Sequence, residues 1–260
     1  GVAPQVTFGA YRVFGCDGST DTDIILAALE RAKHDGMDVV NMSLGVDNTA
    51  CIAPLQDAVN NLNAKCISVV ASAGNEMAAS NANAPANCAG VINVGSVNVQ
   101  SGMIADVSNR GSRVDIAASG EAVPTLAWFT DQTVYFSGTS AAAPVVSGVL
   151  ALAYSNVDMN SSEQNIGLVN SVQKLLQTTA SPMGSEAQAC TDASTVSDDC
   201  FNGGIIDAMR ADGSYESGRF LNGKDMGRED KHAEFKYYVI DELTGELVVP
   251  NGTMGDRWDN

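Results

Sequence analysis

The chain has 260 residues, with 31 acidic side chains against 14 basic ones, a net charge of −17, six cysteines and two histidines. A pI near 4.2 argues against the phosphate-neutralising surface that nucleic-acid binding needs, and two histidines leave little room for a His-rich metal centre. With 45% hydrophobic and 17% charged residues, wholesale disorder is excluded, and one large domain or two small ones can be built.

Gly1 is not a methionine and no basic-then-apolar leader precedes it, so the chain is read as starting at a processing site or at the edge of a fragment. The first predicted strand is Ala10 to Phe14. Asp21 then caps a helix with Ile24, Ile25, Ala28, Leu29 and Ala32 on one side, and Gly36 suits its left-handed stop. A second strand, Val39 to Ser43, is followed by Leu55, Ala58, Val59 and Leu62 at helical spacing and then by a strand at Ile67 to Ala71. Further strands are expected at Val91 to Val97 and Val114 to Ala117. Consecutive apolar positions in several of these strands, with helices between them, predict a parallel sheet covered on both faces.

The longest apolar run, Val145 to Tyr154, is too short and too rich in small residues to span a bilayer. A composition break lies near residue 210: 28 of the first 210 residues are charged, against 17 of the last 50. Residues 1–210 therefore read as a buried-core domain and 211–260 as a charged C-terminal extension. In that extension Phe235 to Ile240, Thr244-Gly245 and Leu247 to Val249 suggest a hairpin.

In open parallel sheets, ligands bind beyond the carboxyl ends of the strands. There the second strand runs into Ser43-Leu44-Gly45 and the third into Ser72-Ala73-Gly74-Asn75. Later, Gly138-Thr139-Ser140 leads into Ala141-Ala142-Ala143-Pro144. Ser140 at the first turn of a buried helix would have free backbone N–H groups and the positive helix end beside it, which suits a developing oxyanion. Alone, each piece reads more simply, Ser140 as a cap and Gly74-Asn75 as a turn. Their joint order on successive strand ends carries the chemistry. A flavodoxin-like binding domain would need a phosphate-binding glycine loop after the first strand, and Gly15-Cys16-Asp17-Gly18 is acidic and unsuited.

The joint pattern resembles the subtilisin-like serine proteases, or subtilases. The likeness runs through Gly1-Val2-Ala3-Pro4, Tyr11-Arg12-Val13-Phe14, Asn41-Met42-Ser43-Leu44-Gly45, Ala73-Gly74-Asn75 and Gly138-Thr139-Ser140 with Pro144, and fades near Gly204 to Ala208. It implies an α/β fold with a largely parallel twisted sheet and helices on both faces, the N-terminal part of the domain being missing. By motif, Ser140 matches the acylating nucleophile and Asn75 the side-chain oxyanion donor. Ser43, Leu44 and Gly45, with Ser72, Ala73 and Gly74, match two extended walls that grip a peptide as an added strand. Glu76 either biases the pocket toward basic side chains or is a solvated loop carboxylate.

A serine hydroxyl needs a base. The His-Gly-Thr-His type motif of the family, and the Asp that orients its histidine, are not among these residues. His34 sits in the last turn of a helix and His232 in the charged tail; neither reads as the base. Without the Asp-bearing strand, the first two strands would pair directly or leave backbone unpaired. Three expectations follow: a piece of a longer active enzyme, a two-piece enzyme whose N-terminal piece is a separate chain, or a non-catalytic peptide-binding relative (a pseudoprotease).

The resemblance further implies a secreted protein with disulfides. Cys51 and Cys88 match a bridge beside the specificity pocket, and Cys190 and Cys200 could close a short loop. Cys16 and Cys66 lie at opposite strand ends and should not pair; Cys66 reads as a buried thiol, and Cys16 as free or bonded to the absent segment. No catalytic cofactor is expected. Asp115, with backbone oxygens near Ala89 and Val91, matches a family calcium position or else makes a structural hydrogen bond. Asn160 and Asn251 lie in glycosylation sequons.

Overall fold

The computed structural model describes residues 1–78, 83–98, 100–127, 130–155, 166–181, 183, 188–189, 200–201, 203–211, 235–240 and 247–248. The elements in chain order are β1 (Phe8–Arg12), α1 (Thr22–His34), β2 (Val39–Met42), α2 (Ala53–Asn63), β3 (Ser68–Ser72), β4 (Val91–Asn98), β5 (Met103–Ile104) and β6 (Ile116–Ser119). They continue with β7 (Val123–Leu126), β8 (Thr133–Phe136), α3 (Thr139–Ser155), α4 (Ile166–Thr179), β9 (Gln188–Ala189), β10 (Cys200–Phe201), α5 (Ala208–Ala211), β11 (Phe235–Ile240) and β12 (Leu247–Val248). The chain divides into two compact units, one formed by Gly1–Ala3 with Asp38–Gly227 and the other by Pro4–Met37 with Arg228–Asn260.

The larger unit is built on a sheet in the order β2-β3-β4-β5, with β6 also paired to β4. The β2–β3, β3–β4 and β4–β6 pairs are parallel and only β5 runs against its neighbour. The consecutive apolar residues of β3 and β4 fit this sheet because both faces are covered: every residue of Ser68–Ser72 is buried. On one face α3 packs against β2, β3, β4 and β6, joining Val146, Val149, Leu150 and Tyr154 to Val70, Ile92, Val94 and Ile116. Leu55, Val59 and Leu62, at helical spacing, form the buried side of α2, which packs on β3. A second apolar cluster joins Ala73, Val97, Val114, Ala117 and Phe201. Gly148 of α3 abuts Val2 rather than the sheet, since a Cβ there would lie 2.8 Å from the Val2 Cβ. The ribbon β7–β8 is antiparallel.

In the smaller unit β1 pairs in parallel with β11, from Phe8 with Phe235 to Arg12 with Val239, and β11 pairs antiparallel with β12. In place of the expected alternatives, β1 pairing with β2 or keeping its backbone unpaired, β11 supplies the partner for the β1 backbone groups. On α1, Asp21 occupies the N-cap position but its side chain makes no capping bond; the first turn is closed instead by Ile25 N–H donating to the Asp21 carbonyl at 3.2 Å. Gly36 has the anticipated positive φ of 70°. The Asp35 carboxylate accepts from Tyr11 at 2.9 Å and pairs with Arg31 at 2.8 Å. Burial alone would raise its pKa, but these partners hold it below the usual carboxylate range.

All five predicted strands shift by one or two residues at one end or both, and two of these shifts have a visible local reason. β1 ends at Arg12, not Phe14, because the Arg12 Nε–H donates to the Phe14 carbonyl at 2.9 Å, where the chain turns away. β6 begins at Ile116, not Val114, because Val114 N–H closes a turn onto Gly111 at 3.0 Å.

Asp115 lies between these features. Its Oδ2 accepts from the Asn93 N–H at 2.9 Å while its own N–H donates to the Asn93 carbonyl at 2.9 Å. Burial pushes its pKa up to about 6, against the opposing pull of the Asn93 bond and the Arg113 charge. Two of the oxygens singled out for calcium already accept hydrogen bonds: besides the Asn93 bond to Asp115, the Ala89 carbonyl accepts from Gln56 Nε2 at 2.8 Å. Among the described residues no three His, Cys, Asp or Glu side chains converge. Asp115 would supply one carboxylate to such an ion, and the rest of the roughly six to eight oxygens that calcium takes would be backbone carbonyls and water.

Two stability measurements test this packing. A Cβ on Gly95 would meet Phe201 Cζ at 2.5 Å and Val114 Cγ1 at 2.9 Å, so Gly95→Ala is expected to lower the urea-unfolding free energy by about 1–3 kcal/mol through overpacking. For Asp115 the folded pKa lies above the ordinary 3.8, so the folded state binds more protons than the unfolded one between these values. Its contribution is therefore fully present below about pH 4 and is lost as pH rises through about 6. Asp115→Asn should remove that loss, up to about 3 kcal/mol, and unfolding curves of both proteins at about pH 4 and pH 7 measure it.

Candidate active site

Parallel strands place their carboxyl ends along one edge of a sheet, and the register of β2 on β3 pairs Met42 with Ala71. The next residues, Ser43 and Ser72, therefore lie side by side at that edge, Ser72 as the last residue of β3 and paired with Val94 of β4, and they open the segments Ser43-Leu44-Gly45 and Ser72-Ala73-Gly74. Asn75 follows the second segment and is exposed.

The helix α3 opens at the same edge. Gly138 has φ 138°, and a Cβ there would press on the Asn75 amide at 3.2 Å from Oδ1, so glycine is needed on both counts. Its N–H donates to the Gly120 carbonyl at 2.7 Å, and its carbonyl accepts from Ala141 N–H at 3.0 Å. Thr139, fully buried, ties the helix to the end of β3. Its N–H donates to Asn75 Oδ1 at 2.8 Å and its hydroxyl donates to the same oxygen at 3.0 Å. The Gly74 N–H also lies 3.2 Å from that hydroxyl.

A backbone N–H can only donate, so the Thr139 bond fixes which end of the Asn75 amide faces inward. The Asn75 Nδ2 group and the Ser140 N–H make no hydrogen bond among the described residues. Ser140 itself is half-buried. Its hydroxyl donates to the Ser43 carbonyl across a long 3.5 Å, while Ser43 Oγ donates to the Ser140 carbonyl at 3.0 Å. The nucleophile candidate is thus weakly held while its backbone is anchored to the facing wall. Ser43 Oγ accepts in turn from Asn41 Nδ2 at 3.0 Å.

Glu76 is tied into the loop rather than simply solvated. Its N–H donates to Asn109 Oδ1 at 3.1 Å, and its Oε2 accepts from Asn83 Nδ2 at 2.7 Å and Asn109 Nδ2 at 2.6 Å. Burial would raise its pKa, but the Asn75 N–H and the amides of Asn109 and Asn83 lower it overall. Asn109, fully buried, also accepts from Ala78 N–H at 2.9 Å and donates to the Ala73 carbonyl at 2.9 Å. The clamp by Thr139 and the cradle of Asn83 and Asn109 are missed by motif reading. Thr139 is visible only as the middle of Gly-Thr-Ser, and the two asparagines carry no local pattern.

Cys51 and Cys88 form a disulfide with Cα atoms 5.1 Å apart, beside the first wall. Cys66 is a buried thiol whose pKa burial raises, and Cys16 is an exposed thiol. Cys190, His232, Asn160 and Asn251 lie outside the described residues, as does the side chain of Cys200. His34 lies on α1 in the smaller unit, with its ring 78% exposed and Nδ1 3.6 Å from Asp35. No helix among the described residues is long and apolar enough to cross a membrane.

The sequence pattern of the subtilase family matches residues 1–210. The chain is 35% identical over 188 residues to alkaline elastase YaB of Bacillus sp. (strain YaB), an alignment covering 72% of this chain and 47% of that protein. It is 33% identical over 187 residues to subtilisin DY of Bacillus licheniformis, covering 71% and 64% respectively. Of solved structures, a cold-adapted subtilisin-like serine proteinase is similar with a TM-score of 0.60 and 27% identity, over 76% of this chain and 65% of that one. The chain therefore spans about half to two thirds of the length of these relatives. With the motifs at one sheet edge and the family pattern across four fifths of its length, the chain belongs to the subtilase family of subtilisin-like serine proteases.

Proposed function

We propose that the chain is the larger, C-terminal portion of the catalytic domain of a secreted serine endopeptidase that cleaves peptide bonds through an acyl-enzyme on Ser140. The observation that carries this reading is the pairing of two unengaged donors, Asn75 Nδ2 and the Ser140 N–H, beside the Ser140 hydroxyl, with the amide held by Thr139. As the substrate carbonyl becomes an oxyanion, both donors face charge that develops only in the transition state. A peptide bound in extended form between Ser43-Leu44-Gly45 and Ser72-Ala73-Gly74 would present its carbonyl there.

Ser140 Oγ must lose its proton as it attacks, and the Ser43 carbonyl, its hydrogen-bond partner, cannot take one. The base, a histidine oriented by an aspartate, comes from a segment outside these 260 residues, either continuous with them or as a separate piece. The proton passes to that histidine and then to the leaving amine. Export agrees with the Cys51–Cys88 disulfide, and glycans at Asn160 and Asn251 belong to the same reading. A structural calcium held by the Asp115 carboxylate with backbone oxygens near Ala89 and Val91 belongs to it as well. A second reading, a peptide-binding module without catalysis, draws on the weak 3.5 Å bond of Ser140.

The test is covalent labelling by a fluorophosphonate probe, with and without a supplied segment bearing the Asp and His motifs. Labelling at Ser140 only with the segment, abolished in Ser140→Ala, is expected. Asn75→Ala should slow acylation by about a hundred- to a thousandfold, the loss already known for such a donor in subtilisin. If no labelling occurs in either case, the binding module is the better reading.

A further inference from the structure

Inside a helix the carbonyl of each residue accepts from the N–H four positions on. For Ser140 that position is Pro144, which lies within α3 and has no N–H. The nucleophile candidate therefore carries a carbonyl that lacks the usual helical donor, and Ser43 Oγ supplies one at 3.0 Å. Two further residues stand behind that bond. Asn41 Nδ2 lies 3.0 Å from Ser43 Oγ, and Ser147, further along α3, places its Oγ 3.0 Å from Asn41 Oδ1. The same hydroxyl lies 3.1 Å from the Ala143 carbonyl. Asn41 and Ser43, two positions apart at the end of β2, share a face, and α3 packs against that strand.

The direction of every bond in this series is forced from one end. A carbonyl only accepts, so the single hydrogen of Ser43 Oγ is spent on Ser140. Asn41 must then donate to Ser43, which turns its Nδ2 that way and its Oδ1 toward Ser147. Ser147 must donate in turn, sharing one hydrogen between Asn41 and Ala143. Reversing the Asn41 amide would put an acceptor against Ser43 Oγ and draw its hydrogen away from the Ser140 carbonyl.

We propose that Ser147, Asn41 and Ser43 form a directed relay that holds the Ser140 carbonyl in place of the bond Pro144 cannot give. Ser147 and Asn41 thereby act as positioning residues for attack by Ser140 Oγ. To meet a base, that hydroxyl must leave the Ser43 carbonyl, 3.5 Å away, and the relay keeps the backbone of Ser140 fixed while it turns. The positioning role rests on the protease reading of Ser140, but the carbonyl bond can be measured without catalysis.

Isotope labelling of serine at the carbonyl carbon and of alanine at the nitrogen restricts a triple-resonance NMR spectrum to Ser-Ala bonds. The chain has two, Ser72-Ala73 and Ser140-Ala141. The Ser140 signal, identified by its loss in Ser140→Ala, is expected to move upfield in Ser147→Ala and Asn41→Ala, as a carbonyl does on losing a donor, with Ser72 as reference. Asn41→Asp should move it most, because a carboxylate has the shape of the amide but only accepts. Ser147→Thr keeps the hydroxyl and should restore the parent position. Asn41 is exposed and Ser147 half-buried, so the variants are expected to fold, which circular dichroism checks.

The same proteins, with the Asp and His segment supplied, are then timed for fluorophosphonate labelling. In that reaction Ser140 Oγ displaces fluoride from phosphorus and its proton passes to the histidine. The Ala and Asp variants should label about three- to tenfold more slowly, the worth of one neutral hydrogen bond, with the half-saturating probe concentration unchanged. Ser147→Thr should label at the parent rate. An unmoved Ser140 signal in Asn41→Asp and Ser147→Ala, or labelling of these variants as fast as the parent, would overturn the proposal. A parent that does not label sinks the catalytic reading and the positioning role with it, while the spectrum still decides whether the relay holds the carbonyl.

Discussion

Four backbone pairs, from Val39 with Ser68 to Met42 with Ala71, hold β2 and β3 in parallel register, and the groove follows from that alignment. A slip of one residue would send every side chain of β2 to the opposite face, taking Met42 out of the core and Ser43 away from Ser140. The register is strongly specified because β3 is buried along its whole length. It places both walls at one edge, where α3 begins and Thr139 bonds back to Asn75.

Asparagine amides do much of the organising at that edge. Asn75, Asn83 and Asn109 each offer both an acceptor and donors, so one side chain can join two segments whose backbone groups differ in kind. Asn109 does so fully buried, bonded to Ala73, Glu76 and Ala78, where an unpaired polar group would be costly. The loop from Ala73 to Ala78 keeps its shape without regular structure, and it can therefore present exposed groups. The donors that stay unengaged, Asn75 Nδ2 and the Ser140 N–H, are the pair to which the proposed mechanism gives the oxyanion.

Much of the fold was legible. Runs of apolar residues at β3 and β4 need two covered faces, and helical spacing at Leu55, Val59 and Leu62 marks the buried side of α2. Strand ends were less legible: Phe14 and Val114 look like strand residues, but the Arg12 bond and the Gly111 turn take them out. The partner of β1 could not be read at all. Pairing with β11 joins residues more than two hundred positions apart, and no local pattern encodes a contact of that range.

Short stretches of the chain already carry the chemistry on offer: Ser140 after Gly-Thr, Asn75 after Ala-Gly, the two wall segments and an acidic chain with only two histidines. These are short-range patterns, and a motif of adjacent residues survives in a one-dimensional reading. How they combine is a matter of three-dimensional packing. It set the Asn75 amide with its oxygen toward Thr139, parked the Ser140 hydroxyl on the Ser43 carbonyl, and brought Asp47 from one loop to Glu76 and Asn83 of another. Hydrogen-bond direction and charge density depend on distances between segments far apart in the chain. Those distances exist only once the sheet is paired and both of its faces are packed.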